Sequence, residues 1–260
     1  LRIKFKNILM EKQIRDHSRF NNLKIAITGA SGSLGKSLTK ELRNKGAFVI
    51  GLTHRKTSKE NATIDSPQEW ITWSCGKESS LIKVLSDVDI LILNHGVYPK
   101  GLPTTKNINI ALEVNALSTW KLMQVFEDIA LDKPDNLQKK EVWINTSEAE
   151  IQIALSPLYE ISKHLIGEIV SIKKNSLQKG QADLISMKKL VLGPFKSDLN
   201  PVGIMSSDDV ARKIINKAQT NSFLIIVSPN PLTHLLMPLT EKLRSIYCRL
   251  TTKLWPQGNH

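Results

Sequence analysis

The chain has 260 residues, 41% of them hydrophobic and 23% charged, with a formal net charge of +12. That suits one large α/β domain or two small ones with a sizeable core, and it excludes a membrane-spanning run of ~18 apolar residues, which is nowhere present. The basic excess calls for an anionic partner, yet no zinc-finger spacing, RNP pattern or basic zipper accompanies it, so nucleic acid is not expected.

Cys75 and Cys248 stand far apart, so no disulfide framework or paired-cysteine metal motif is expected. The histidines are scattered, and no metal site is expected. Cysteine usage suits a reducing compartment, and a cytoplasmic location is expected, with a peripheral membrane association as a variant. The chain opens on Leu1 rather than Met, so its start is expected upstream or at Met10. Residues 1–22 form a polar, basic leader, expected to be poorly ordered, ahead of a single domain over 23–260.

Leu23 to Thr28 is a β-branched run that reads as a buried strand. Thr28-Gly29-Ala30-Ser31-Gly32-Ser33-Leu34-Gly35 follows, then a helical spacing of Leu34, Leu38 and Leu42 that ends at Gly46. Strand, glycine loop and helix are the context of a dinucleotide fingerprint. Small residues let the backbone approach a pyrophosphate, and the helix N-terminus offers it unpaired N–H groups. A second strand over 47–52 ends in Thr53-His54-Arg55-Lys56. No carboxylate stands there to bind a ribose 2′-hydroxyl, and cations are at hand for a 2′-phosphate, which favours NADP(H) while leaving NAD(H) open.

Val88 to Leu93 is a continuous apolar run, suited to a central parallel strand, ending in Asn94-His95-Gly96. Residues 108–130 read as one long helix carrying Asn115. Val142 to Ile144 is a strand running into Asn145-Thr146-Ser147. Pro157 opens a helix that carries Tyr159 and Lys163, one turn apart on one face. A phenol near pKa ~10 is a poor acid–base catalyst at neutral pH, and an adjacent ammonium is expected to lower that value. Leu184 to Leu192 is a strand ending in Gly193-Pro194, and Phe223 to Val227 is a last one. This alternation predicts an α/β, Rossmann-type doubly wound parallel sheet of about seven strands, with helices on both faces and the ligand at the strands' carboxyl ends.

Residues 231–255 place apolar residues at helical spacing opposite Lys242, Arg244, Arg249 and Lys253, with Trp255 near the end and a break or kink expected at Pro238. This basic amphipathic segment, 231–260, suits either an anionic membrane surface or packing on the domain or a twin subunit.

In order and spacing, these landmarks resemble the short-chain dehydrogenase/reductase family. Thr28 to Gly35 is similar to its glycine loop, Asn94-His95-Gly96 to its Asn-Ala-Gly segment, and Tyr159-x-x-x-Lys163 to its active-site signature. Gly193-Pro194-Phe195-Lys196-Ser197 stands for the segment beside the nicotinamide. The resemblance implies Asn115, Ser147, Tyr159 and Lys163 as catalytic residues. It implies cofactor contacts from Thr28, Gly29, Ser31, Gly32, Ser33, Leu34, Gly35, Thr53, His54, Arg55, Asn94, Gly96, Tyr159, Lys163, Gly193, Pro194 and Ser197. Ser33 replaces a glycine, His95 an alanine, and Ser74-Cys75-Gly76 an adenine-binding aspartate; Thr146 competes with Ser147 as the aligned hydroxyl.

A narrower likeness is to the dehydrogenase half of bifunctional sterol desaturase/short-chain dehydrogenase proteins, without the histidine boxes of the other half. The expected activity is an NADP(H)-dependent oxidoreductase interconverting a carbonyl and an alcohol on a hydrophobic or lipid-like small molecule, possible as a homo-oligomer. A non-catalytic NADP(H) sensor or scaffold is the alternative. An epimerase or dehydratase is a third reading, with little room in the C-terminal part for the substrate domain such enzymes usually have.

Overall fold

The computed structural model describes residues 18–55, 63, 65–132 and 139–254. Strand β1 (Lys24–Thr28) is followed by helix α1 (Ser33–Asn44), β2 (Phe48–Thr53) and β3 (Glu69–Thr72). A single turn and the short α2 (Ile82–Ser86) lead to β4 (Ile90–Leu93). Then come α3 (Thr105–Leu112), a π-helical turn over Glu113–Leu117, α4 (Ser118–Asp132) and β5 (Lys140–Ser147). The remainder is α5 (Pro157–Ser176), α6 (Lys179–Leu184), β6 (Ile185–Leu192), α7 (Ser207–Lys217), β7 (Leu224–Val227) and α8 (Pro231–Leu254).

The seven strands pair in parallel in the order β3-β2-β1-β4-β5-β6-β7. Strand order reverses between β1 and β4, the switch point at which open α/β sheets hold ligands. Because alternate strand residues face opposite ways, the sheet feeds two cores. Ile25, Ile27, Ile90, Ile92 and Leu190 pack against α1 and α7. Ala26, Leu91, Leu93, Val142 and Ile144 pack against α4 and α5. The strand sequences are apolar on both sides because both sides are covered.

Four expectations need correction. Residues 18–22 belong to the domain: Phe20 is fully buried edge-on against Trp143, and Arg19 pairs with Glu141 at 2.7 Å. The leader's earlier residues lie outside the described ones. The helix read over 108–130 is interrupted at Asn115 by the π-helical turn, because the Asn115 side chain bonds the backbone of Val97 instead of facing solvent. Strand β3 and helices α2, α6 and α7 were not anticipated; α2, α6 and β3 are too short for a periodicity to emerge. Finally, α8 runs through Pro238 without ending. Pro238 is on the exposed side, while Thr233 and Met237 beside it are fully buried and hold the helix to the sheet.

Candidate active site

The carboxyl ends of β1, β4, β5 and β6 open into one cleft of about 730 Å³. Gly29 begins its floor with φ at +64°, the left-handed region that favours glycine. A side chain there would press on the His95 backbone at 3.0 Å, so the β1 loop can lie against the β4 loop only without one. Gly35 is more constrained. A Cβ would sit 2.3 Å from the Gly29 carbonyl, so this glycine lets α1 close onto the loop that precedes it.

Gly32 caps α1 with no side-chain hydrogen bond, and the first turn carries no acidic residue. The helix therefore presents unpaired N–H groups and the positive end of its dipole to the cleft. That is the arrangement a pyrophosphate fits. Ser31 Oγ lies 3.2 Å from Thr53 Oγ1 and ties the loop to the end of β2. Thr53, His54 and Arg55 line the cleft beside it, and no carboxylate stands among them.

Most of the anticipated cofactor residues line this cleft: Gly29, Ser31, Gly32, Ser33, Leu34, Asn94, Gly96, Gly193, Pro194 and Ser197. Thr28 and Gly35 do not. The fully buried Thr28 hydroxyl receives the backbone N–H of Asn94 at 2.8 Å and of His95 at 3.2 Å, so it locks β1 to the β4 loop. Gly35 serves packing alone. His95 Nδ1 also meets Thr28 Oγ1, at 2.8 Å, and its ring stands at 90° to Trp73. Burial, aided by the Lys163 charge, lowers its pKa to about 4, so it is a neutral, packed imidazole.

Ser147, Tyr159 and Lys163 line the same cleft. Ser147 ends β5, and Tyr159 lies in the first turn of α5, whose N-terminus is capped by Ser156. Thr146 gives its hydroxyl to the Leu190 carbonyl, which leaves Ser147 as the hydroxyl acting on Tyr159.

The expected lowering of the Tyr159 pKa is absent. Burial pushes it up to about 12, and the Ser147 hydroxyl opposes that only in part. Lys163 Nζ donates to the Asn145 carbonyl at 2.9 Å and stands 5.7 Å from the Tyr159 ring centre, so its ammonium bonds a carbonyl rather than the phenol. Burial in turn brings Lys163 down to about 8, with Glu150 opposing.

Asn115 does not line the cleft. Its Oδ1 accepts from Val97 N at 2.7 Å, and its Nδ2 donates to Val97 O and to Ser162 Oγ. Ser162 passes the chain on to the Tyr159 carbonyl at 2.8 Å. Both ends of the amide are therefore engaged within the protein and not in the cleft.

Three features escaped the sequence. Tyr98 stands 5.4 Å from Tyr159, ring to ring, at the cleft wall. Glu148, beside Ser147, accepts from Ser228 at 2.5 Å and Thr233 at 2.9 Å. Ile153 and Leu155 line the mouth, 95% and 92% exposed, which marks the rim as apolar. Only the last had a signal, an Ile-x-Leu in a segment with no periodicity.

Residues 25–149 match the NAD dependent epimerase/dehydratase family. A monoglucosyldiacylglycerol epimerase from Synechocystis sp. is 38% identical over 248 residues, covering 94% of this chain and 58% of that protein. A short-chain dehydrogenase from Burkholderia cenocepacia, solved with NADP, superposes with a TM-score of 0.68 at 14% identity, covering 89% of this chain and 98% of that one. The chain is similar to the NAD dependent epimerase/dehydratase family over residues 25–149 and has the fold of the short-chain dehydrogenases. A ketone-specific alcohol dehydrogenase from Comamonas testosteroni shares the fold at a TM-score of 0.71 and 14% identity, over 87% of this chain and 94% of that one. The curated relative redirects the narrower resemblance: it is an epimerase, not a sterol desaturase. The chain spans just over half of that relative's length. Among the described residues, no helix is long and apolar enough to cross a membrane.

Proposed function

We propose that the cleft interconverts a secondary alcohol and a carbonyl on a lipid-like substrate, with NADP(H) as cofactor and Tyr159 as general acid/base. The observation that carries this reading is the shared cleft: Ser147, Tyr159 and Lys163 face the uncapped start of α1 across one cavity. The bound nicotinamide supplies or accepts the hydride. With a pKa of about 12, Tyr159 is protonated at neutral pH and suits delivery of a proton to the substrate oxygen in the reductive direction. Ser147 is the donor placed to hold that oxygen. Lys163 keeps a positive charge beside the tyrosine ring and holds the Asn145 carbonyl at the end of β5. The apolar rim at Ile153 and Leu155 supports a hydrophobic substrate, and Arg55 beside the cleft supports a 2′-phosphate.

A second reading is favoured by the 38% identical epimerase. There the same residues oxidise a carbinol of a sugar headgroup on a lipid and then reduce the carbonyl from the opposite face, with no net change in the cofactor. The two readings share Tyr159 and differ in stoichiometry. The protein is incubated with NADP(H) and panels of lipid carbonyls and monoglycosyl lipids. Steady NADPH consumption supports net reduction; inversion of a sugar centre without consumption supports epimerisation. Tyr159→Phe should abolish either, by at least ~100-fold in kcat, while NADPH binding stays nearly intact. Normal turnover in that variant would remove Tyr159 from the mechanism, and a protein that binds NADPH but turns over neither panel would favour a sensor.

A further inference from the structure

Helix α8 has two faces of opposite character. Thr233, Met237 and Glu241 turn inward: Met237 packs on Val191 and Ile226, and Glu241 reaches the buried Lys189 at 2.7 Å. Leu232, Leu235, Leu239, Leu243, Ile246 and Leu250 form a stripe on the opposite side, each about half exposed or more. Leaving such a stripe in water forgoes the free energy that burying its exposed apolar area would return. A row of this length is therefore a surface that something covers.

Three observations choose the occupant. First, a seam for a second copy of the helix would repeat every 3.5 residues. Drawn through Leu232, Leu236, Leu239, Leu243, Ile246 and Leu250, that repeat leaves out Leu235, the most exposed residue of the stripe at 67%. Lys242 and Arg249 are exposed along that same edge, so the face continues past the seam into cations. Second, Glu241 is the one acid between residues 231 and 254, and Lys189 and Arg244 claim it, so the exposed side offers cations alone. An apolar stripe edged by cations fits an interface between acyl chains and anionic headgroups, where long basic side chains reach outward. Third, the start of α8 is fastened to the rim of the cleft. Gln152 Nε2 donates to Thr233 Oγ1 at 2.6 Å, and Asn230 Nδ2 donates to Gln152 Oε1 at 2.6 Å. Ile153, next in the chain, is almost fully exposed. The stripe and the apolar mouth are neighbouring parts of one surface.

We propose that the exposed stripe of α8, together with Ile153 at the cleft mouth, seats the protein on an anionic lipid bilayer so that the cleft opens at the headgroups. The delivery of a lipid to Tyr159 rests on the activity proposed above; the seating does not. Seating buries the leucines without requiring a spanning segment and places Lys242 and Arg249 at the headgroup level.

The test is co-sedimentation of the whole chain, without cofactor or substrate, with vesicles of equal parts phosphatidylcholine and phosphatidylglycerol. The wild-type protein is expected to pellet with these vesicles and much less with phosphatidylcholine alone. Leu235→Glu with Leu243→Glu should lower the bound fraction about tenfold or more. Both side chains are well exposed, so the thermal midpoint should hold, and a control melt verifies it. Tyr159→Phe should pellet as the wild type does. The proposal is overturned if the wild type stays in solution, if the double variant pellets equally, or if sedimentation without lipid shows a dimer that the double variant dissolves. A protein that turns over lipid carbonyls in detergent yet ignores vesicles would lose the seating and keep the chemistry.

Discussion

Two buried groups set the working pH at the residue scale. Lys163 is held at about 8 by burial, below its ordinary 10.5. Its folded pKa is depressed, so burying its charged form costs stability below about pH 8, and that cost fades as pH rises from there towards the unfolded value. Activity has the opposite slope. The proposed carbonyl reduction needs the proton on Tyr159 and the charge on Lys163, so kcat should be level through neutrality and fall as pH rises through about 8. A pH–rate profile checks this, and a reductive rate still climbing above that point would contradict it. In the proposed reading Arg55 carries the cofactor preference in the same direct way. Arg55→Ala should weaken NADPH binding about tenfold or more, the scale of one charge-assisted hydrogen bond, and leave NADH nearly unchanged, as titration of intrinsic fluorescence would show.

At the scale of elements, the sequence was legible where the period was long and the punctuation strong. Gly29 and Gly35 announced a loop because only glycine tolerates the left-handed turn and the approach of α1. The apolar runs of β1 and β4 were evident because both faces are covered. Asn115 shows the limit. Its spacing from neighbouring leucines fits a straight helix, and nothing local reveals that Val97 and Ser162 capture its amide from outside. The tyrosine pair shows it as well, since spacing placed Lys163 beside Tyr159 but could not show that Asn145 takes its Nζ. Tertiary partners decide such points, and they are absent from a local window.

On the scale of the whole molecule, α8 is joined to the sheet through a buried ion group. Lys189 is fully buried and donates to Glu150 at 2.6 Å, Glu241 at 2.7 Å, Ser171 and the Gly167 carbonyl. Gly167 is required there, since a Cβ would stand 1.9 Å from the Glu150 carboxylate. Burial raises the Glu150 pKa and Lys189 opposes it, so the carboxylate depends on the cation. Lys189→Met removes the buried cation that Glu150 and Glu241 share and leaves Arg244 on Glu241 alone, which should cost about 3–5 kcal/mol and show as a lowered midpoint in a urea melt. A variant as stable as the wild type would mean that the pair is dispensable. The hydrogen bonds from Ser228 and Thr233 to Glu148 have a different consequence. Glu148 follows Ser147 directly, so the turn after the serine is tied down by residues some eighty positions later in the chain. A fragment ending after β6 would carry Ser147, Tyr159 and Lys163 and still lack Ser228 and Thr233, which hold the turn beside the first of them. For this fold, owning the motif and owning the site are separate attributes.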